Sequence, residues 1–597
     1  MALFTPSESP AVVVREIDLT GGVPNVQSTT GAIVGNYRWG PVLERTLVSN
    51  EAELVDAFGS PSDSNAVDFL SATQFLRYSS SLQVVRNVDS DAQSAFSLQG
   101  TTGSSPDSNG SVTIDNPLVL NSTDFTNRET SLEAALDSDG TIGYGFVAKF
   151  PGALGNSIKV SYLPADSSGS VFDAWTYKSS FDAAPVTTYY GGTQGITNDE
   201  MHIVVVDEDG AISGTRGTIL ETFPSVSVVT DAKSFEGQSI YAPDVVNTRS
   251  QYVYMVNFDT ELEAKNAGTT SSNGTNYGLD SCVDRNASLA SGANSGTLGT
   301  GDFLEGFDYF EDKDQVEVDF LIAPSMLARV DQTTVVNDLS STARLTRKDC
   351  VVTASPARSD IVGVTSDATK VTNTVTTANT FTNTSYLVMD NNFIKVYDKY
   401  NDKYVFIPAA STVAGIMAAT DFNRAPWFSP AGQRRGQMLG ITSLAYSPTK
   451  AQRDTLYKAD VNPIANIPGQ GAILFGDKTA IGFPSAFDRI NVRRLFLVLE
   501  RAIGRAAEQV LFEFNDEFTR AEFVNIVEPV LREVQGRRGI TDFRVVCDET
   551  NNTAAVIDRN EFKADIFIKP ARSINYVTLS FVAVRTGVDF EEVVGTV

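Results

Sequence analysis

Few residues in this chain have the type and spacing that catalysis requires. His202 is the only histidine among 597 residues, so the commonest general base is nearly absent. It opens an apolar run over 202–206, which predicts a structural role for its ring rather than a catalytic one. The sequence supports no Ser–His–Asp or Cys–His arrangement, and it contains no HExxH motif.

Two further segments approach the spacing of a ligand site without reaching it. Gly471 and Gly476 are followed by Asp477-Lys478-Thr479, but a phosphate-binding loop requires lysine where Asp477 stands. A carboxylate there repels phosphate, so we reject a nucleotide site. The acidic segment 207–210 lacks the spaced ligands and distal glutamate of a calcium loop, and it predicts a hairpin turn.

The cysteines give no sign of a metal site or a disulfide framework. Cys282, Cys350 and Cys547 lie far apart, with no CxxC or CxH pairing. Together with the single histidine, this spacing predicts a protein without metal, cofactor or enzymatic activity.

Charge is distributed unevenly along the chain. There are 46 Lys plus Arg and 73 Asp plus Glu, a formal net charge of −27. Residues 425–597 hold 21 basic and 21 acidic residues, so the whole excess lies in the first 424. This acidity disfavours direct binding to nucleic acid or anionic lipid. No signal peptide and no membrane-spanning apolar run are recognisable, so we expect synthesis in a cytoplasm and no membrane insertion.

Strand and helix patterns alternate in two parts of the chain. Residues 32–35 and 82–88 are typical of strands, and 50–58 and 65–78 are typical of helices. The rhythm returns after residue 301, with strands predicted at 316–323 and 351–354 around a helix at 330–348. Such alternation indicates parallel strands joined by crossover helices.

These patterns predict a multi-domain protein of mixed α/β and α+β class. The predicted segments are a strand arm at 1–20, the first part of an α/β body at 21–97, an inserted β-rich surface domain at 98–200, the rest of the middle body at 201–424 with a flexible loop at 265–301, a C-terminal α+β domain at 425–590, and a strand arm at 591–597.

The C-terminal region carries the clearest helix signal. A first helix is expected from 489, with arginines on one side and the following apolar residues on the other: Val492, Leu495, Leu499, Ile503, Ala506, Val510 and Phe514. A second helix is expected over 517–538, with an inward face of Phe523, Val524, Val527, Leu531 and Val534. Pro529 is predicted to kink or divide it. Strands are expected at 563–569 and 574–584.

Several ordered motifs resemble the tail sheath proteins of contractile-tailed bacteriophages, most closely the long sheaths of the large myovirus group. They are SPAVVVRE at 9–16, TGAIVG at 30–35, IPAASTVAGIMAATD at 407–421, APWFSPAG at 425–432, GAILFG at 471–476 and RINVRRL at 489–495. They cover the beginning of the chain and its C-terminal third, whereas the middle matches weakly.

The resemblance implies a structural subunit of a virion. Sheath subunits of that family form a helical stack of six-fold rings around a tail tube, and they contract when the baseplate gives a signal. The implied partners are other copies of the chain, the tail tube protein, and baseplate and tail terminator proteins. The implied location is the phage tail, after assembly in the cytoplasm of the host.

The resemblance also implies three sets of contact residues. The terminal arms each add a strand to a neighbouring subunit, and their expected residues are Val12, Val13, Val14, Arg15, Glu16, Ile17, Val593, Val594 and Val597. A helix over 517–538 is expected to face the tail tube through Arg520, Arg532, Arg537 and Arg538. Sheath–sheath contacts are expected at Arg493, Arg494, Arg501 and Arg505. For the arms, an edge strand within the same subunit is the alternative, and for the arginines it is pairing within the subunit or a solvated helix face.

Other classes of protein share some of these features. Acidic, cysteine-poor chains rich in Ser, Thr and Asn occur among extracellular surface-layer proteins and adhesins, but no export signal is present here. The sheath of a contractile bacteriocin or secretion system is a nearer alternative, while the length and the acidic middle favour a phage. A nucleotide-binding enzyme of α/β class is opposed by Asp477.

Overall fold

The structure is a computed structural model that describes residues 29–98, 118–137, 144–165, 170–257 and 285–574. Within these residues the chain forms two compact units. The smaller, here the C-terminal unit, comprises 425–429 and 494–574. The larger, here the body unit, comprises the remaining described residues up to 424 and 430–493.

A six-stranded sheet forms the centre of the body unit. Its strands, numbered in chain order, are β1 (Gly31–Gly35), β2 (Arg45–Val48), β3 (Leu82–Arg86), β11 (Phe320–Ile322), β12 (Val351–Ala354) and β13 (Leu387–Met389). Their spatial order is β13-β12-β11-β1-β3-β2. All neighbours are parallel except β2, which is antiparallel to β3. The predicted parallel sheet is therefore confirmed, although the strand expected over 316–323 is shorter.

The helices that accompany this sheet lie between its strands in the chain, except the last two, which follow β13. They are α1 (Glu51–Phe58), α2 (Ala66–Leu76), α7 (Thr300–Asp308), α8 (Arg329–Ser341), α9 (Arg358–Ile361), α10 (Asp367–Ala378), α11 (Ala410–Asn423) and α12 (Lys450–Lys458). The Asn50 side chain caps α1 by accepting the Glu53 N–H at 3.0 Å. The helix predicted over 330–348 is present as α8 with a π-helical continuation, Thr342–Arg347.

Between β3 and β11 the chain forms two antiparallel sheets. Their strands are β4 (Phe96–Leu98), β5 (Tyr144–Ala148), β6 (Ile158–Pro164), β7 (Glu200–Asp207), β8 (Thr218–Ser227), β9 (Val253–Asn257) and β10 (Arg285–Ser288). The orders are β10-β6-β7-β8 and β4-β5-β9. The accompanying helices are α3 (Ser122–Asp137), α4 (Ser170–Ala174), α5 (Tyr189–Gln194) and α6 (Ala242–Arg249). The connection of β7 to β8 is the hairpin predicted at the acidic segment 207–210.

Two predicted boundaries in this region are wrong. A domain end at residue 200 would cut the sheet, because β7 pairs with β6 on one side and β8 on the other. The β-rich insert therefore continues to β10. The flexible loop expected over 265–301 is also wrong in its later part, since β10 pairs with β6 and α7 begins at Thr300. Residues 265–284 lie outside the described ranges.

The body unit also includes much of the segment assigned by sequence to the C-terminal domain. Its remaining strands are β14 (Phe393–Asp398), β15 (Lys403–Pro408), β16 (Ser443–Leu444), β17 (Ile464–Ile467) and β18 (Gly471–Leu474). Asn462 bridges to Asp390 and Ala480 to Thr384, so main-chain pairing ties 430–493 to the end of the parallel sheet. A domain start at 425 is thus contradicted, apart from 425–429.

A buried carboxylic acid lies where β13 ends. One oxygen of Asp390 accepts the Ser355 hydroxyl at 2.7 Å, and the other accepts the Asn392 N–H at 2.9 Å. Burial outweighs these hydrogen bonds and raises the pKa of Asp390 to about 7. At pH values between about 4 and about 7, folding therefore adds a proton to this side chain.

We expect this proton to make the stability of the body unit depend on pH. Because the pKa is higher in the folded state than in the unfolded chain, folding is favoured at low pH, and stability is lost as pH rises from about 4 to about 7. Asp390→Asn removes the titration while retaining an acceptor for Asn392 and a donor for Ser355. Thermal unfolding measures this dependence: between pH 5 and pH 8, the melting temperature decreases less for the variant than for the unaltered protein. Equal decreases in both proteins would contradict this assignment.

Candidate assembly interface

The single histidine is held as a structural group. Its Nδ1 accepts the Ser225 N–H at 3.0 Å, so the proton lies on Nε2, which donates to the Ala183 carbonyl at 2.9 Å. The ring is buried and stacks on Phe181 with centroids 4.4 Å apart. Both ring nitrogens are occupied by main-chain groups, which leaves His202 no open atom for catalysis.

Asp477 also has a structural partner. Its Oδ1 lies 3.0 Å from Arg489 Nη1, and the hydroxyl of Tyr457 contacts both side chains. Gly471 lies in strand β18, which pairs with β17, so this segment is a hairpin with an ion pair rather than a phosphate loop. Cys350 is buried and Cys547 half-buried, and neither is in a disulfide; Cys282 lies outside the described residues.

The surfaces able to make assembly contacts are best seen in the C-terminal unit. Its elements are α13 (Ile490–Glu508, of which 490–493 are assigned to the body unit), α14 (Glu517–Gly536), β19 (Ile540–Val546), α15 (Ala554–Ile557) and β20 (Asp565–Pro570). Asp516 caps α14 by accepting the Thr519 N–H at 2.9 Å.

One apolar cluster holds these elements together. The inward face predicted for α14 is largely confirmed, because Phe523, Val527, Leu531 and Val534 are buried and Val524 is half-buried. Burying four such side chains contributes about 2 kcal/mol for each. The cluster also contains Leu495, Leu499, Ala425, Trp427 and Ile540.

Trp427 fixes the end of α14. Its indole N–H donates to the Arg537 carbonyl at 3.1 Å, and the Arg537 guanidinium lies over the ring at 5.2 Å. Gly539 passes so close that a Cβ there would lie 2.9 Å from the indole ring. The tryptophan of the 425–432 motif therefore secures the turn from α14 into β19.

One helix prediction for this unit is wrong, and a second is wrong in part. Phe514 was placed on the inward face of the first helix, but α13 ends at Glu508 and the Phe514 ring is exposed. Pro529 does not divide the second helix, because α14 is continuous through it, and the alternative that Pro529 kinks the helix stays a prediction. Its position on the exposed side of α14 lets the helix tolerate the missing N–H.

The hairpin of β19 and β20 has unfilled edges. The two strands pair antiparallel from Ile540↔Pro570 to Val546↔Asp565, and within the described residues neither has a second partner strand. Ile566 and Ile568 pack on the cluster, while Phe567 between them is exposed. An edge of this kind offers unpaired main-chain groups to an incoming strand.

The four arginines proposed for the tube-facing helix differ in exposure. Arg532 and Arg537 are largely exposed, and each pairs with the glutamate four residues earlier, at 2.9 and 3.3 Å. Arg538 follows the helix and is exposed. Arg520 is buried and donates to Asn515 Oδ1 at 3.0 Å, so its assignment as a contact residue is corrected to an internal one.

The arginines of α13 also differ in their exposure to solvent. Arg493 is buried between the rings of Tyr386 and Phe487, 4.3 and 4.1 Å from their centroids, and its Nε donates to Ser385 Oγ. Arg494 is also buried, against the expectation that it lies on the outer face. Both are therefore corrected to the internal alternative. Arg501 and Arg505 are half-buried and remain predicted sheath–sheath contacts.

The predicted arms cannot be placed. Val12, Val13, Val14, Arg15, Glu16 and Ile17 lie outside the described residues, as do Val593, Val594 and Val597. The strand expected over 574–584 lies outside them as well, except for Ile574. Among the described residues no group of His, Cys, Asp or Glu is arranged to hold a metal ion, and no helix there has the length and apolarity to cross a bilayer.

Comparison with known proteins gives consistent matches along the chain. Residues 296–480 match the family model "Phage tail sheath protein central domain", and residues 484–583 match "Phage tail sheath C-terminal domain". The tail sheath protein of Enterobacteria phage T4 is 33% identical over 98% of this chain and 99% of its own length. That of Vibrio phage KVP40 is 32% identical over the same shares.

A solved structure extends the likeness of the fold. The sheath tail protein of Listeria innocua aligns over 92% of this chain and 96% of its own, with a TM-score of 0.53 and 10% identity. At that identity the likeness concerns the fold alone. The matched segments include the middle of the chain, where the sequence motifs were weak.

Proposed function

The chain belongs to the phage tail sheath family and is a structural subunit of the contractile tail sheath, a component of the virion; from this premise we propose that it polymerises by exchanging terminal strands between copies. The observation that carries the proposal is the two-stranded sheet of β19 and β20, which has no further strand among the described residues. A two-stranded hairpin is weakly stable alone and gains from each added strand.

The terminal segments have the composition that strand addition needs. Residues 12–17 read Val-Val-Val-Arg-Glu-Ile, and 593–597 read Val-Val-Gly-Thr-Val; both are rich in β-branched residues. We propose that both arms add to the hairpin of neighbouring copies. Because main-chain hydrogen bonds carry such contacts, the polymer keeps its connections while subunits rotate and slide.

The tube-facing side of the subunit is proposed to include the exposed end of α14. Arg532, Arg537 and Arg538 remain candidates after Arg520 is removed. The exposed pairs of Arg532 and Arg537 with glutamates are worth only about 0.3–0.5 kcal/mol each, so these two ion pairs can be exchanged for carboxylates of a partner at little cost. They suit an acidic surface on the tail tube protein.

The wider assembly follows the family resemblance. We propose six-fold rings stacked helically around the tube, contact with baseplate and tail terminator proteins, contraction after a baseplate signal, and assembly in the host cytoplasm. Energy stored during assembly makes nucleotide hydrolysis unnecessary, and we assign the chain no enzymatic activity. The curated relatives are phage proteins, so we prefer a phage sheath to one of a bacteriocin or secretion system.

We also propose a C-terminal domain that begins at 484–494 instead of 425.

Deleting residues 1–16 tests the strand exchange. We expect the shortened chain to remain a folded monomer and to form no tubular polymer, since the arm supplies a strand to another copy. Sedimentation velocity and negative-stain microscopy measure both properties. Sheath-like polymers from the shortened chain would contradict the proposal.

A pair of substitutions serves as the matched control. Val13→Thr keeps the main-chain N–H and the β-branched shape, so assembly is expected to persist. Val13→Pro removes that N–H and is expected to weaken assembly. Equal assembly by both variants would show that residue 13 does not pair through its main chain.

Charge reversal tests the tube-facing arginines. Arg537→Glu with Arg538→Glu is expected to abolish assembly that depends on the tube, because the proposed acidic partner is then repelled. Arg559→Glu, in the same unit and also exposed, is the control and is expected to assemble normally. Tube-dependent assembly is counted by microscopy after mixing with purified tubes, and undiminished decoration by the double variant would refute the contact.

A further inference from the structure

The turn between α13 and α14, together with the first turn of α14, exposes four large apolar side chains within eight residues. Their exposed fractions are 62% for Leu511, 104% for Phe512, 83% for Phe514 and 77% for Phe518. Soluble proteins seldom present such a concentration of aromatic surface to water unless a partner covers it. We call these four residues the aromatic tip.

Acidic residues surround the aromatic tip. Glu513, Asp516 and Glu517 are exposed, and the nearest base in sequence, Arg520, is buried. The Thr519 N–H lowers the pKa of Asp516, which keeps this carboxylate ionised. The tip is therefore apolar with a negative rim, a combination that repels nucleic acid and anionic lipid and favours a partner with a positive rim.

The body unit carries a surface of the opposite sign. Between residues 404 and 449 the sequence has three arginines and one acid, Asp421. The structure brings Arg424, Arg434 and Arg435 together. Burial is the main cause that lowers the pKa of Arg435, and the nearby positive charges of Arg424 and Arg434 lower it further. The Arg77 side chain lies against Gly440 in the same loop. In a chain of net charge −27, three arginines that lie close together and a fourth beside the same loop make this surface positive.

Apolar side chains accompany these arginines. Phe422, two residues before Arg424, is mostly exposed, and so is Leu439, whose N–H donates to the Tyr78 hydroxyl next to Arg77. We define the arginine patch as Arg77, Arg424, Arg434 and Arg435 with Phe422 and Leu439.

We propose that the aromatic tip of one copy docks on the arginine patch of a second copy. The rings would lose their contact with water and lie beside guanidinium groups, which favour aromatic faces, while the acidic rim meets the positive one. This contact joins two different surfaces, so each copy can bind a next copy, which gives a ring where the rotation closes and an open helical array where it does not. The inference rests on the proposed sheath assembly and adds a side-chain contact to the exchanged strands.

Exposed residues on both surfaces allow tests that spare the fold. The tip variant is Phe512→Ser with Phe514→Ser, and the patch variant is Arg424→Glu with Arg434→Glu. Each is expected to raise the protein concentration needed for assembly at least about tenfold, the effect of losing one modest contact per copy. The controls are Phe235→Ser and Arg344→Glu, which alter an exposed aromatic and an exposed arginine elsewhere and are expected to change nothing.

A charge exchange tests whether the two surfaces meet. Glu513→Arg alone and Arg434→Glu alone each place like charges together and are expected to weaken assembly. The double variant restores opposite charges and is expected to assemble within about threefold of the unaltered protein. A double variant no better than the worse single variant would overturn the pairing.

Sedimentation velocity on the full chain measures self-association, and microscopy of the same samples shows whether tubules form. Tip and patch variants that assemble like the unaltered chain would overturn the inference and leave the sheath function standing. Self-association that depends on tip and patch without tubules would support the inference and count against the proposed assembly. An unaltered chain that stays monomeric at all concentrations would overturn both.

Discussion

The proposed assembly depends on the edges of the sheet that β19 and β20 form, which have no further strand among the described residues. Two strands, β19 and β20, lie on a cluster formed largely by α13 and α14, and their outer edges carry main-chain groups without strand partners among the described residues. Water can satisfy such groups in a monomer, but a third strand satisfies them with better geometry and excludes solvent from the sheet. Under the proposed strand exchange, a strand from another copy supplies this third strand.

Strand pairing alone does little to select which segment binds, because main-chain hydrogen bonds tolerate many side chains. Side-chain surfaces supply the missing specificity, and the chain separates them by charge. Its first 424 residues hold the entire acidic excess, whereas the remainder is neutral and dotted with arginines. The acidic-rimmed aromatic tip lies within the neutral part, and Arg77 and Arg424 of the arginine patch lie within the acidic part. Under the proposed contact, each surface finds its complement on another copy. Strand contacts that accept many side chains, combined with side-chain surfaces that select their partner, suit a sheath whose subunits stay connected while it contracts.

The sequence predicted the elements with strong periodicity and failed where burial depends on distant residues. The parallel sheet was recognisable from short apolar runs alternating with helices, and the inward face of α14 from its helical spacing. Arg493 was misplaced because its aromatic partners Tyr386 and Phe487 are not neighbours in a helical wheel of α13. Phe514 was misplaced because nothing in the apolar pattern marked the end of α13 at Glu508. The boundary at residue 200 failed because β-strand pairing joins segments far apart in the chain.

Hydrogen–deuterium exchange tests the incomplete sheet most directly. Peptides that cover Ile540–Val546 and Asp565–Pro570 are followed in the unassembled subunit and in the polymer, with β1 as an internal reference. The account predicts exchange at least about tenfold slower in both strands after assembly, because arms from other copies then pair with their edges, while β1 is unchanged. Equal exchange of these two strands before and after assembly would contradict it.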